Sequence, residues 1–164
     1  MNKSEDRFLQ GIKDGIPIAL GYLSVSFAFG IFAVNSGLYF WQAIAISMTN
    51  LTSAGQLAGV PIITGGLPFF ELALSQVVIN MRYALMSISL SQKLDDKVSL
   101  GNKLFIAFFN TDEVFAVASG RSNLVGKHYM YGLGLAPYLG WTLCTTFGSI
   151  AGNMLSANSL DCLR

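Results

Sequence analysis

Charged residues occur inside otherwise apolar stretches at two places in this sequence. Arg82 lies in the run SQVVINMRYALMSISLS, and the adjacent pair Asp112 and Glu113 lies in FIAFFNTDEVFAVA. In a membrane helix, a charge near the bilayer centre costs from about 2.5 to more than 10 kcal/mol, so such side chains face a cavity or a charged partner. These three residues therefore point to a pathway through a membrane protein. Their chemistry is that of ion pairing, anion binding and proton transfer.

The role of each charge stays open between structure and transport. Arg82 keeps its charge at any physiological pH, so it suits an ion pair with Asp112 or Glu113, a clamp on a substrate carboxylate, or a side chain that reaches the headgroups. Asp112 and Glu113 point about 100° apart on a helix, so one can face Arg82 while the other faces a cavity. The carboxylate farther from Arg82 is the candidate for proton coupling. The alternative is purely structural. The carboxylates would form an ion pair with Arg82, and Thr111 and Asp112 would cap a broken helix.

A neutral polar cluster supplies a second set of candidate ligands. Residues 50–56 read NLTSAGQ, and Asn80 lies two positions before Arg82. Amide and hydroxyl groups beside glycine can hold the carboxylate and ammonium of an amino acid at an unwound helix, and the surrounding apolar residues would suit an aliphatic side chain. The predicted substrate-binding residues are Asn50, Ser53, Gly55, Gln56, Asn80 and Arg82.

Composition and the lengths of the apolar runs predict that membrane helices position these residues. Charged residues make up 12% of the 164 residues, about half the fraction found in an ordinary soluble domain. Residues 16–34 contain no charge and are long enough to cross a bilayer core of about 30 Å. We expect an all-α, polytopic membrane bundle in one domain, with an interfacial segment at residues 1–14. Its five hydrophobic segments are residues 16–34, 38–63, 67–90, 104–118 and 132–155.

The segment 38–63 is predicted to be broken or re-entrant. Polar and small residues lie in its middle and Pro61 follows them, which makes a poor lipid-facing helix. Five simple crossings would put five Lys and Arg residues on the cytoplasmic side and four outside, whereas a dip at 38–63 gives seven and two. The positive-inside rule favours the dip. The alternative is a continuous span with small residues at a helix contact.

Glycine pairs at four-residue spacing predict close contacts between helices, because the missing side chains let two backbones approach. The pairs are Gly11 with Gly15, Gly55 with Gly59, and Gly148 with Gly152.

Several other chemistries find no support in the sequence. Cys144 and Cys162 lack metal-ligand spacing, and no cluster of metal ligands, serine–histidine pair or catalytic aspartate pair stands within the spans. The net charge of +1 gives no indication of a nucleic-acid partner. We therefore expect no metal, no cofactor and no enzymatic activity.

These motifs resemble the AzlC family, the large subunits of branched-chain amino-acid exporters. The resemblance runs through GIKDGIPIALGYLSVSFAFGIFA, LTSAGQLAG, NMRYALMSISL, FNTDEVFAVA and GWTLCTTFGSIAGN. The residues that match the family's motifs are Pro17, Gly21, Gly30, Ala54, Gly55, Gln56, Asn80, Arg82, Asp112, Glu113, Gly140, Trp141 and Gly148.

The resemblance implies a multi-pass secondary transporter subunit of the bacterial inner membrane. It would export leucine, isoleucine and valine, with methionine as a further candidate, together with a small AzlD-type membrane subunit. Members of the family have further hydrophobic segments, so the chain is expected to be C-terminally truncated. The alternatives are an inactive truncated transporter and a non-transporting scaffold or assembly subunit, whose intramembrane charges would form structural ion pairs.

Overall fold

The computed structural model describes residues 7–161, with side chains for residues 7–155. Residues 1–6 of the predicted interfacial segment and Cys162 lie outside the described residues. The expected all-α architecture is confirmed. The described part of the chain forms seven helices: α1 Phe8–Asn35, α2 Phe40–Thr49, α3 Ser53–Thr64, α4 Phe69–Lys93, α5 Leu100–Phe108, α6 Asp112–Ser119 and α7 Lys127–Asp161.

The described helices are of two lengths. α1, α4 and α7 have 28, 25 and 35 residues, so each is long enough to cross a bilayer core of about 30 Å. α2, α3, α5 and α6 have 10, 12, 9 and 8 residues, so each reaches about half that distance. When apolar composition is required as well as length, α1 is the one helix of the described part that qualifies as a membrane span.

The predicted break in segment 38–63 lies at residues 50–52. Asn50 and Thr52 both have extended backbone angles, with φ of −135° and −112°. The Thr52 N–H donates to Asn50 Oδ1 at 3.2 Å. This local bond offers the backbone an alternative to the helix ladder, which is why asparagine favours the end of a helix over its interior.

The chain reverses direction at this break. Ala43, near the start of α2, and Val60, near the end of α3, belong to one buried cluster with Phe29 and Ala33 of α1. In a continuous helix, residues 43 and 60 would be about 25 Å apart. Their shared cluster therefore means that α2 and α3 fold back on each other as a hairpin, hairpin α2–α3.

A second break divides the predicted segment 104–118 at residues 109–111. Thr111 is the N-cap of α6, and its hydroxyl accepts a hydrogen bond from the Val114 N–H at 3.4 Å. The capping of a broken helix by Thr111, one of the alternatives from the sequence, is present.

The described helices divide into two compact units. Unit 1 is Met1–Leu20 with Met81–Leu139, and unit 2 is Gly21–Asn80 with Gly140–Arg164. Unit 2 contains α2 and α3, and unit 1 contains α5 and α6. The long helices α1, α4 and α7 each contribute one part to each unit.

Glycines form the closest helix contacts within each unit, as the spacing predicts. In unit 1, a Cβ on Gly11 would overlap the Tyr129 carbonyl, and in unit 2 a Cβ on Gly148 would overlap the Phe27 carbonyl. Backbone atoms of α1 and α7 therefore touch directly in both units. Gly15 and Gly152 likewise meet backbone atoms, of Leu133 and Ile31, whereas Gly55 meets the Gln76 side chain and Gly59 makes an ordinary contact with the Leu72 side chain.

Candidate functional site

Unit 2 contains a network of amide and hydroxyl side chains at the break between α2 and α3. Gln56 lies at its centre and is 1% exposed. Gln56 Nε2 donates to the Asn50 carbonyl, and its Oε1 accepts from Trp141 Nε1 at 3.3 Å. The same oxygen lies 3.5 Å from Ser47 Oγ, which donates to Thr145 Oγ1 at 3.0 Å. Gln56 therefore joins the unwound backbone to α2 and to the unit 2 part of α7.

An amide pair on α4 contacts the same break. Gln76 and Asn80 are one helical turn apart, and Asn80 Nδ2 donates to Gln76 Oε1 at 3.3 Å. Gln76 Nε2 donates to the Gly55 carbonyl at 2.9 Å, and its Oε1 also accepts from Asn50 Nδ2 at 3.3 Å. Thr52 Oγ1 donates to Asn80 Oδ1 at 2.8 Å. The break is thus held by neutral hydrogen bonds from side chains of α4.

A cavity of about 180 Å³ opens beside this network. Pockets for drug-sized ligands measure about 300–1,000 Å³, so this cavity suits a small metabolite. One part of its wall is polar and another is aliphatic. It is lined by Thr49, Asn50, Gln56 and Gln76, by Ile46, Val60, Ile63 and Leu72, and by Gly55 and Gly59.

The helix ends at the break add backbone partial charges. α3 begins after Thr52, whose side chain makes no capping hydrogen bond, so no side-chain cap covers the N–H groups of the first turn. These groups carry partial positive charge, and the carbonyl groups at the end of α2 carry partial negative charge. Opposite partial charges at one break suit a zwitterion, which presents a carboxylate and an ammonium together.

Unit 1 contains the charged residues that the sequence singles out. Arg82 Nη1 lies 2.9 Å from Asp112 Oδ2. Arg82 Nη2 also donates to the Tyr83 hydroxyl at 3.1 Å. Of the roles open for Arg82, the ion pair with Asp112 is present in the structure. The two side chains remain 50% and 43% exposed, so a ligand can still reach the pair.

A buried asparagine lies beside this pair in the sequence, at the second break. Asn110 is 3% exposed, and its Nδ2 donates to Ser87 Oγ at 3.1 Å. Its Oδ1 is a buried acceptor without a hydrogen-bond partner. Glu113 is exposed in the first turn of α6.

The structure brings only part of the predicted binding set to one place. Asn50, Gly55 and Gln56 line the cavity of unit 2, and Asn80 is bonded to that lining through Gln76. Ser53 begins α3 and is not among the lining residues. Arg82, Asp112 and Glu113 belong to unit 1.

Sequence reasoning missed several residues of these sites. Gln76 had a usable signal, because it lies one turn before Asn80 in an apolar helix and an amide there needs a partner. Asn110 had a weaker one, its place immediately before a capping threonine. Ser47 and Thr145 had none, since small hydroxyl residues are common in membrane helices.

Known proteins similar to this chain are membrane proteins. The family model described as AzlC protein matches residues 17–155. The chain is 26% identical over 152 residues to the inner membrane protein YgaZ of Escherichia coli strain K12, a match that covers 90% of the chain and 62% of YgaZ. It is 29% identical over 148 residues to an uncharacterized membrane protein of Archaeoglobus fulgidus, covering 90% of the chain and 64% of that protein. The chain therefore spans less than two thirds of these relatives. No solved structure matches it.

Proposed function

The chain belongs to the AzlC family of membrane proteins, and on that premise we propose that it is a subunit of a secondary transporter that exports branched-chain amino acids. It crosses the bacterial inner membrane several times and acts with a small AzlD-type membrane subunit. Its substrates are leucine, isoleucine and valine, with methionine as a further candidate.

The cavity at the break between α2 and α3 carries this proposal. Amide groups of Asn50 and Gln76 and the two helix ends offer partners for the carboxylate and ammonium of a zwitterion. The facing wall is aliphatic, so it favours a branched side chain over a polar one. A volume of about 180 Å³ suits one small amino acid. Of the residues predicted from the sequence, Asn50, Gly55 and Gln56 line this cavity and Asn80 is bonded to its lining through Gln76, and these four are its binding residues in the proposal.

Hairpin α2–α3 enters and leaves the membrane on the same side in this proposal. Helices of 10 and 12 residues are too short to cross, and their reversal at residues 50–52 supports a dip. Non-helical backbone is tolerated at membrane depth where it lines a cavity, and the cavity lies at this break. Export then proceeds by alternating access to a site near the midplane.

Asp112 and Glu113 are the residues proposed to couple transport to protons. Asp112 lies 2.9 Å from Arg82 in an ion pair, so we assign proton exchange to Glu113. The Arg82–Asp112 pair would open and close as substrate binds and leaves. A half-exposed pair near the middle of the 25-residue helix α4 needs polar surroundings, which a water-filled path would supply.

Efflux from intact cells tests the proposal. Cells that lack their own exporters are loaded with labelled leucine, isoleucine or valine and express this chain with or without a small AzlD-type subunit. We expect efflux that requires the partner and is lost in Arg82→Ala. The matched control is Lys97→Ala, which removes an exposed cation from the connection after α4. A full-length relative serves as the positive control, and efflux from it but not from this chain would contradict the proposal.

A scaffold function is the second candidate, because the Arg82–Asp112 pair is what a purely structural role requires. The pair is half-exposed in this chain, but within a membrane a charge left without its partner is costly, whereas removing both charges is often harmless. In a scaffold, the double variant Arg82→Ala/Asp112→Ala would therefore keep its membrane abundance and still assemble with its partner. A transporter would keep its abundance in the double variant but lose efflux.

A further inference from the structure

Helix α5 runs alongside the first turns of α7, in the same direction. At the start of α5, Asn102 Oδ1 accepts a hydrogen bond from the Tyr131 hydroxyl at 2.9 Å. At its end, the rings of Phe109 and Tyr138 pack edge to face with centroids 5.5 Å apart. From the start to the end of α5, its contacts on α7 move from Tyr131 to Tyr138. The two helices are therefore parallel, and the start of α5 lies near the start of α7.

Helix α6 runs alongside the second half of α4, toward the end of α4. Asp112, the first residue of α6, pairs with Arg82. After α6, the Val125 N–H donates to the Lys93 carbonyl at 3.1 Å, and the Asp95 N–H donates to the Val125 carbonyl at 3.0 Å. The chain has thus returned to the end of α4, the place from which it left to form α5.

A charged cluster fixes the connection after α6 to the first turns of α1 and α7. Arg121 forms an ion pair with Asp14 of α1, and its Nε donates to the Tyr129 hydroxyl at 3.0 Å. The Tyr129 hydroxyl donates to Asp14 Oδ2 at 2.9 Å. Arg121 therefore lies at the level of Asp14, before the charge-free run 16–34 begins.

We propose that α5–α6 is a second re-entrant hairpin, and that it enters and leaves the membrane on the cytoplasmic side. A crossing α5–α6 would carry residue 125 to the level of the start of α4, about 36 Å from Lys93, whereas residue 125 pairs with Lys93. The proposal rests on the membrane topology proposed above, but it does not depend on which substrate is transported.

The same order of elements occurs twice in the chain. α1 is followed by hairpin α2–α3, with Asn50 and Thr52 at the break, and α4 is followed by α5–α6, with Asn110 and Thr111 at the break. Each hairpin returns to the side where its long helix ended. In the proposed topology α1 and α4 cross the membrane in opposite directions, so the two sets of elements form an inverted repeat.

Charge distribution supports the second hairpin. With both hairpins, eight of the ten Lys and Arg residues lie on the cytoplasmic side, Arg164 lies outside and Arg82 lies within α4. With hairpin α2–α3 alone, the count is seven inside and two outside. The positive-inside rule therefore favours two hairpins over one.

Cysteine labelling in intact cells tests the hairpin. In a background of Cys144→Ser and Cys162→Ser, single cysteines are placed at exposed positions by Asn35→Cys, Asp96→Cys and Ser122→Cys. We expect a membrane-impermeant maleimide added outside to label Asn35→Cys. It should not label cysteines at positions 96 and 122. After the cells are permeabilised, all three should react, which shows that each variant is present and accessible.

The comparison of positions 96 and 122 decides the outcome. Labelling of either position alone from outside would mean that α5–α6 crosses the membrane, and would overturn the proposal. Labelling of both 96 and 122 from outside, without position 35, would mean that α5–α6 reverses on the outer side, which would overturn its cytoplasmic placement.

Discussion

At the scale of single residues, two asparagines illustrate different uses of the same side chain at a helix break. Asn50 is bonded at both ends of its amide, through Thr52 and Gln76. Asn110 is bonded only through Nδ2, and its buried Oδ1 has no partner. A buried unsatisfied acceptor costs about 1–3 kcal/mol, and a donor on a ligand would recover that cost. Asn50 thus holds the break in place as well as lining the cavity, whereas Asn110 keeps one buried acceptor that a donor could still meet.

Replacing the two asparagines should separate these roles. Asn110→Ala loses the hydrogen bond to Ser87 but also removes a buried unsatisfied acceptor, so the two effects offset and we expect the unfolding midpoint of the detergent-solubilised protein to change little while efflux falls. Asn50→Ala loses two hydrogen bonds and should lower the midpoint, at about 1 kcal/mol for each bond. A loss of stability in Asn110→Ala equal to that in Asn50→Ala would assign Asn110 a structural role.

Gln56→Leu should be strongly destabilising. The change leaves Trp141 Nε1 and the Asn50 carbonyl without their hydrogen bonds in a buried site. Each unsatisfied group costs about 1–3 kcal/mol. Thermal unfolding of the solubilised protein measures the effect, with Gln92→Leu at an exposed position as the control. Equal midpoints for the two variants would mean that the Gln56 network does not stabilise the break.

At the scale of elements, the stability of a short helix such as α6 depends on its N-cap, whereas the stability of the long helices depends on how closely they pack. α6 has only eight residues, too few for stable helix formation by propensity alone. The N-cap residue Thr111 therefore contributes to the stability of α6. α1 and α7 instead owe their contact to glycines that bring backbone atoms together.

Thr111→Ala should destabilise the protein by about 1 kcal/mol, because it removes the side-chain cap of α6. Thr111→Ser keeps the hydroxyl and should preserve most of the stability. Thermal unfolding of both variants gives the comparison. If serine were no better than alanine, the methyl group of Thr111 rather than its cap would be the stabilising feature.

Gly148→Ala should destabilise unit 2 by about 1–3 kcal/mol, because its Cβ would overlap the Phe27 carbonyl of α1. Gly21→Ala is the matched control, since a Cβ there meets no atom within 4 Å. Alanine also favours the helix by about 1 kcal/mol over glycine, so Gly21→Ala should be neutral or stabilising. Similar losses in the two variants would contradict a close contact at Gly148. Unfolding midpoints of the solubilised variants decide between these results.

At the scale of the whole molecule, the five predicted hydrophobic segments correspond in the described residues to three long helices and two pairs of short helices, with the predicted break in segment 38–63 and a further break in segment 104–118. The family identifies the chain as a membrane protein, and the described part adds a small cavity with one polar and one aliphatic wall. If this cavity binds substrates as proposed, it selects them mainly by the apolar area that they bury.

Substrate selection should follow that area. Leucine has three more carbon atoms than alanine, and at about 0.8 kcal/mol for each buried CH₂ group the difference is about 2.4 kcal/mol. We expect leucine to be exported in preference to alanine by about 60-fold, measured as competition between the two labelled amino acids. Equal export would place the aliphatic wall outside the substrate site.

The sequence by itself determined the membrane class, the all-α fold, the break near Asn50 and the charged residues of interest. These features follow from local properties, since hydropathy, charge and helix-breaking residues act within one or two turns. Only the tertiary structure decided that a second break lies at residues 109–111, that Arg82 pairs with Asp112, and that Gln76 and Trp141 complete the polar network. The physical reason is distance along the chain. Ser47 and Thr145 are 98 residues apart, and a contact of that kind depends on how every intervening helix packs.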